Sequence, residues 1–197
     1  MPKTFFTADH HFKHTNIIRY CNRRYKDIND MGEALICYWN AKVGKYDTVY
    51  YLGDFVFGGH KDAQAYLERL NGVIYFIRGN HDKWIKPVTD GYRTKNNCLV
   101  EFLPGQIVEL AFSAEGGRPE TKLVLCHYPL REWPGYYQGA WHLHGHTHGT
   151  LMPQPGTLDV GVDCFEGPVE LDELSKLIEP QVTEGKRPAP LSAERTL

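Results

Sequence analysis

The chain lacks paired cysteines, a large net charge and any long apolar run, and each absence removes a class of protein. Its five cysteines, Cys21, Cys37, Cys98, Cys126 and Cys164, are odd in number and widely spaced, with no C-x-x-C pair. That pattern supports neither a disulfide framework nor a zinc knuckle, and reduced thiols in a cytoplasmic protein are expected. The formal net charge of −2 is too small for a protein that coats a nucleic-acid backbone, which needs many Lys and Arg contacts to phosphate. No stable nucleic-acid complex is expected. No window approaches the roughly 18 apolar residues of a membrane span, and no charged-then-apolar leader is present, so no membrane partner is expected. Internal repeats and low-complexity core segments are missing too.

What is present is a series of short apolar runs that end in polar side chains. At 197 residues the chain is expected to form one domain over residues 1–179, with a loosely ordered tail at 180–197 that is rich in proline, charge and small residues. Thr4 to Ala8 forms a strand running into Asp9-His10-His11. Thr48 to Leu52 forms another, ending in Gly53-Asp54, and Val73 to Ile77 a third, ending in Gly79-Asn80-His81-Asp82. Helical spacing of Met31, Leu35, Ile36, Trp39 and Val43 predicts a helix from Asp30, capped by Asn29 or Asp30, and a second helix spans Asp62 to Leu70.

Beyond Asp82 the pattern changes. Cys98 to Leu103 and Gln106 to Phe112 flank Pro104-Gly105 and predict a hairpin, followed by an exposed loop at Ser113 to Glu120. Lys122 to Cys126 is a buried strand ending in His127. Trp141 to His144 leads into Gly145-His146-Thr147-His148, Thr157 to Val162 is a last strand, and Val169 to Ile178 a terminal helix. The expected fold class is α/β, with two packed mixed β-sheets flanked by helices and a site along the carboxyl edge of the strands.

Five strand ends thus carry Asp9 and His11, Asp54, Asn80 and His81, His127, and His146 and His148. A lone Asp or His at such a place is usually a cap or a satisfied polar residue. Eight together, offering carboxylate, amide oxygen and imidazole, suit hard or borderline divalent cations. They exceed the needs of one site, which points to a two-metal centre. Cations about 3.5 to 4 Å apart acidify a shared water and clamp the oxygens of an in-line displacement at phosphorus.

The motifs Asp9-His10-His11, Gly53-Asp54, Gly79-Asn80-His81-Asp82, His127 and Gly145-His146-Thr147-His148, in that order, resemble those of the calcineurin-like metallophosphoesterases. The start from Asp9 to Ile18 is most similar to small uncapped bacterial and phage members. The resemblance implies that family's fold. It implies one cation held by Asp9, His11, Asp54 and His148 and another by Asp54, Asn80, His127 and His146, with manganese expected and iron, zinc, nickel or cobalt also acceptable. It further implies that His81 assists the leaving group; an imidazole near two cations needs a carboxylate to support it, and Asp82 or another acid is expected to do so. The family's arginine after the second motif is replaced here by Phe57-Gly58, so phosphate contacts are expected from the metals, from His81, or from His14, Asn16, Arg19, Arg23 and Arg24.

The expected function is dimetal-dependent hydrolysis of phosphodiesters, possible substrates including a nucleotide or oligonucleotide. Phosphomonoester hydrolysis on nucleotides is the runner-up, and a non-catalytic metal-binding interaction module of the same fold is the alternative from a different class.

Overall fold

The computed structural model describes residues 1–85, 91–95, 97–113, 120–152 and 154–184. In chain order these form β1 (Thr4–Thr7), α1 (Thr15–Tyr20), α2 (Ile28–Lys42), β2 (Thr48–Tyr51), α3 (His60–Leu67), β3 (Val73–Phe76), β4 (Tyr92–Arg93), β5 (Leu99–Phe102), β6 (Ile107–Phe112), β7 (Thr121–Cys126), β8 (Trp141–His144), β9 (Thr157–Asp159), β10 (Val169–Glu170) and α4 (Leu171–Glu184). One six-stranded sheet has the order β10-β1-β2-β3-β5-β4, and a four-stranded sheet the order β6-β7-β8-β9. Strands β1, β2, β3 and β5 run parallel, whereas β10 and β4 pair antiparallel at the two edges. In the second sheet only the β6–β7 pair is antiparallel. The architecture is therefore α/β, with two mixed sheets and flanking helices.

Side chains alternate across a strand, and β1 uses both faces. Phe5 joins a core built with Val49, Ile74 and Phe76 and with Met31, Leu35, Trp39 and Leu67 from α2 and α3. Phe6 enters a second core with Leu52, Ile77, Leu123, Leu125 and Leu143, closed by Leu174 and Ile178 of α4. The parallel sheet is thus covered by helices on one side and by the second sheet on the other. Short parallel strands buried on both faces need the near-continuous apolar runs seen in the sequence.

Several boundaries differ from the sequence expectation for local reasons. Helix α2 starts earlier, because Asp27 is its cap and accepts the N–H groups of Asn29 and Asp30, both at 2.9 Å. Helix α3 begins at His60 and stops at Leu67. Asp62 is therefore inside it, its carboxylate accepting the Gly59 N–H at 2.9 Å. The expected hairpin around Pro104-Gly105 does not form: both strands exist, but β5 pairs with β3 and β6 with β7, so the turn carries the chain between sheets. Strand β9 ends at Asp159, and Gly161 makes only an isolated bridge to Ala8. Val169 and Glu170 extend the edge beside β1 instead of starting the last helix. That helix continues through Pro180 to Glu184, beyond the expected start of the tail. The remainder of the tail, and most of the loop expected at Ser113 to Glu120, lie outside the described residues. Among the described residues no helix is long and apolar enough to cross a membrane.

Candidate metal centre

The turns that follow β1 and β2 run side by side and are sewn together by backbone hydrogen bonds. The N–H groups of Asp9, His11 and Phe12 donate to the carbonyls of Gly53, Asp54 and Phe55 at 3.0, 3.0 and 2.9 Å. The turn after β3 is tied to them by the buried carboxylate of Asp82, which accepts the N–H groups of Asp54 (2.7 Å), Phe55 (2.9 Å) and Gly79 (2.9 Å) and the Trp84 indole N–H (3.0 Å). Asp82 is therefore a brace between strand ends. Its oxygens are engaged by these donors, which corrects the expectation that it supports the His81 imidazole.

Asp9, His11, Asp54, His146 and His148 all take left-handed backbone conformations, with φ of 61°, 51°, 61°, 69° and 49°. Non-glycine residues in that region cost on the order of 1 kcal/mol or more each and persist only where the surroundings enforce them. Gly79 is not among the positive-φ glycines, so it is not required there for its backbone freedom. It is needed for space: a Cβ there would collide with Asp54 Oδ1 and stand 2.5 Å from the Asp54 backbone nitrogen.

The two carboxylates are each anchored by one oxygen and offer the other. Asp9 Oδ2 accepts the His146 N–H at 2.8 Å, and its buried Oδ1 has no hydrogen-bond partner among the described residues. Asp54 Oδ1 accepts the His81 N–H at 2.8 Å, while Oδ2 lies 3.6 Å from His11 Nε2 and 3.4 Å from His127 Nε2. Both ring nitrogens of buried His11 are also without partners. His127 donates Nδ1–H to the Leu52 carbonyl at 2.7 Å, which leaves Nε2 facing inward, 2.9 Å from Asn80 Oδ1.

Among the described residues ligand atoms converge in three groups, Asp9 with His11 and His148, Asp54 with His127 and His146, and, sharing His148, Cys21 with Asp163, the atoms of each lying within 4.8 Å of one another; the first two hold the expected ligands. Orphaned buried carboxylate and imidazole atoms that face one another are the arrangement a divalent cation would satisfy. The residues present fit such a cation, and Asp54 lies between the two groups.

Burial pushes the Asp9 carboxyl up to about 7 and pulls His11 down to about 2, because each charged form loses its solvation there. Burial also opposes ionisation of Asp54, but the adjoining His127 outweighs it and holds Asp54 at about 2. His148 is pulled down by burial and raised more strongly by its bond to Asp163, reaching about 10.

Asp163 is the residue that sequence reasoning missed. Its Oδ2 accepts His148 Nδ1–H at 2.6 Å and Arg23 Nη2–H at 2.7 Å, and Oδ1 accepts Arg23 Nε–H at 2.7 Å. Arg23 also donates to the carbonyls of Asp9 (2.7 Å) and His10 (3.0 Å). Its guanidinium is thus buried and fully engaged, which corrects its expected role in substrate contact. A signal was available, because Gly161-Val162-Asp163 sets a carboxylate two residues after a glycine at the end of the last apolar run. Cys21 was also missed, and its sulfur lies within 4.8 Å of the ligand atoms of His148 and Asp163.

Of the remaining residues expected to contact substrate, His14 lines the cavity at this site, whereas Asn16, Arg19 and Arg24 do not. Arg24 lines a separate, smaller cavity beside Tyr25 and Glu166. His142 is structural: Nδ1–H donates to Val124 O at 2.9 Å, and Nε2 accepts Leu130 N–H at 3.0 Å. His144 bonds through Nδ1 to the Gly145 carbonyl. His10, which has no assigned role in the sequence reading, is held at about 3 by burial and packs among Phe12, Trp39 and Tyr51.

Fold and site together define an α/β protein of two mixed sheets with a His/Asp cluster at the carboxyl edge of its parallel strands. The chain is 34% identical over 189 residues to the uncharacterised protein MJ1445 of Methanocaldococcus jannaschii, covering 91% of this chain and 93% of that protein. It belongs to the same family as that protein. It is also 28% identical to the gene 66 protein of Mycobacterium phage D29, over 90% of this chain and 96% of the phage protein. A crystal structure of a protein of unknown function, AQ665 from Aquifex aeolicus, superposes with a TM-score of 0.64 at 20% identity, covering 90% of this chain and all of the other. That likeness concerns the fold alone. No family model matches the chain.

Proposed function

We propose that the chain is a dimetal-dependent phosphoesterase of the calcineurin-like type, with that family's fold, and that it hydrolyses phosphodiesters. The observation that carries this reading is the placement of Asp54 Oδ2 between His11 Nε2 and His127 Nε2, at 3.6 and 3.4 Å, where one carboxylate can serve two cations. Asp9, His11, Asp54 and His148 would hold one cation and Asp54, Asn80, His127 and His146 the other, with manganese the expected ion. Such a pair supplies an acidified water and neutralises phosphoryl oxygens.

His81 belongs to neither donor group but lines the same cavity. Its backbone N–H is spent on Asp54, which fixes the residue and leaves its ring to give a proton to the departing oxygen. Among the described residues lining the cavity there is no lysine or arginine, which supports a monoanionic diester over a dianionic monoester.

The test is hydrolysis of bis-p-nitrophenyl phosphate by manganese-loaded protein, abolished by EDTA and restored by metal. Protein that binds two cations per chain yet is inert toward both a generic diester and a generic monoester is the non-catalytic module instead.

A further inference from the structure

The cavity at the metal centre holds about 710 Å³, far more than a phosphoryl group fills. Beyond the ligand residues its wall is Ile17, Tyr20, Cys21, Thr147, Thr150 and Leu151. Tyr20 is 62% exposed and Leu151 53%, a large amount of apolar surface to leave open beside a polar cluster. His14, on the same wall, meets Tyr20 edge-on with ring centroids 6.2 Å apart and stacks on Phe57 at 4.4 Å.

The two threonine hydroxyls on this wall have already spent their protons. Thr147 Oγ1 donates to Asp159 Oδ2 at 2.6 Å, and Thr150 Oγ1 donates to the Thr147 carbonyl at 2.6 Å. No lysine or arginine of the described residues lines it. A flat ring laid on this wall would gain both area and aromatic contact.

We infer that the wall of Tyr20, Ile17 and Leu151, beside the His14 imidazole, is a subsite for an uncharged aromatic ester group of the substrate. The subsite rests on the phosphoesterase reading. It confines the substrate class to diesters carrying an aryl or nucleoside-like group, recognised through its ring face.

Binding of two non-hydrolysable probes to manganese-loaded protein, measured by calorimetry, separates this inference from the reading beneath it. Phenylphosphonate and methylphosphonate carry the same anchoring anion and differ in the ring. The expected result is a dissociation constant about tenfold lower for phenylphosphonate, with the ratio falling to below about threefold in Tyr20→Ala/Leu151→Ser. Equal affinities in the native chain, or an undiminished ratio in the double variant, overturn the subsite and leave the metal centre standing. Failure of both probes to bind metal-loaded protein overturns the phosphoesterase reading and the subsite with it.

Discussion

His148 Nδ1 lies 2.6 Å from Asp163 Oδ2, and the same carboxylate is gripped twice by the buried Arg23. The guanidinium in turn holds the Asp9 carbonyl, so one network fixes two candidate ligands of the same cation. Carboxylates behind metal-bound histidines typically contribute 10- to 100-fold to affinity. Asp163→Asn is therefore expected to weaken one of the two manganese sites by about that factor while the other is retained. Arg23→Lys should do the same, since an ammonium cannot reproduce the paired contacts. Two-site binding isotherms with unchanged constants in both variants would refute the assignment.

Asp9 gives a stability prediction whose sign is opposite to that of most carboxylates. Burial raises its carboxyl from an ordinary 3.8 to about 7. The metal-free folded chain therefore keeps a proton that the unfolded chain has lost. Stability from this group is complete below pH ~4, drains away as pH rises to about 7, and stays lost above that. At pH ~8 in EDTA, Asp9→Asn should be more stable than the native chain by on the order of 1 kcal/mol or more, while manganese should stabilise the native chain alone. Urea denaturation with and without metal checks both halves; a metal-free variant less stable than the native chain speaks against the orphaned carboxylate.

The same groups set the pH dependence of metal uptake. Asp9, at about 7, and His148, at about 10, must both lose protons before they can donate to a cation. Binding consequently releases protons, and apparent affinity should rise by up to about tenfold per pH unit for each proton displaced. Titrations between about pH 6 and about pH 8 in two buffers of different ionisation enthalpy measure the slope and the proton release. An affinity that is flat across this range contradicts the ligand set.

His81 and Asp82 are neighbours with separate tasks, and mutation should divide them. His81→Ala is expected to keep both cations by elemental analysis while kcat falls about 10²- to 10⁴-fold, the usual worth of a positioned acid. Asp82→Asn should instead lower stability by about 1–3 kcal/mol for each buried donor left unpaired. Turnover of Asp82→Asn protein that keeps both cations should stay near the native value. A loss there as deep as that of His81→Ala would reinstate the pair as a dyad.

Much of this arrangement was legible in the chain. The runs Thr4 to Ala8, Thr48 to Leu52 and Val73 to Ile77 announced buried parallel strands because burial on both faces demands apolar residues at successive positions. A carboxylate or amide, preceded by glycine after the second and third of these runs, marked where the strands stop, and the structure gathers Asp9, His11, Asp54, Asn80, His127, His146 and His148 at one edge. Strand-end chemistry is a local signal that any α/β sheet sums along its carboxyl edge.

What the sequence could not supply was partnership. The turn at Pro104-Gly105 resembles a hairpin locally, yet competition from β3 and β7 sends its two strands to different sheets. Asp82 beside His81 suggested a dyad, but the backbone N–H groups of Asp54, Phe55 and Gly79 take its carboxylate. Arg23 was expected to meet substrate phosphate, but Asp163, distant in sequence, buries it. Residue types and their order determine which side chains can ligate, because that is chemistry. Which carboxylate is left with an unpaired oxygen is decided only by long-range hydrogen bonds, and those exist only in the folded chain.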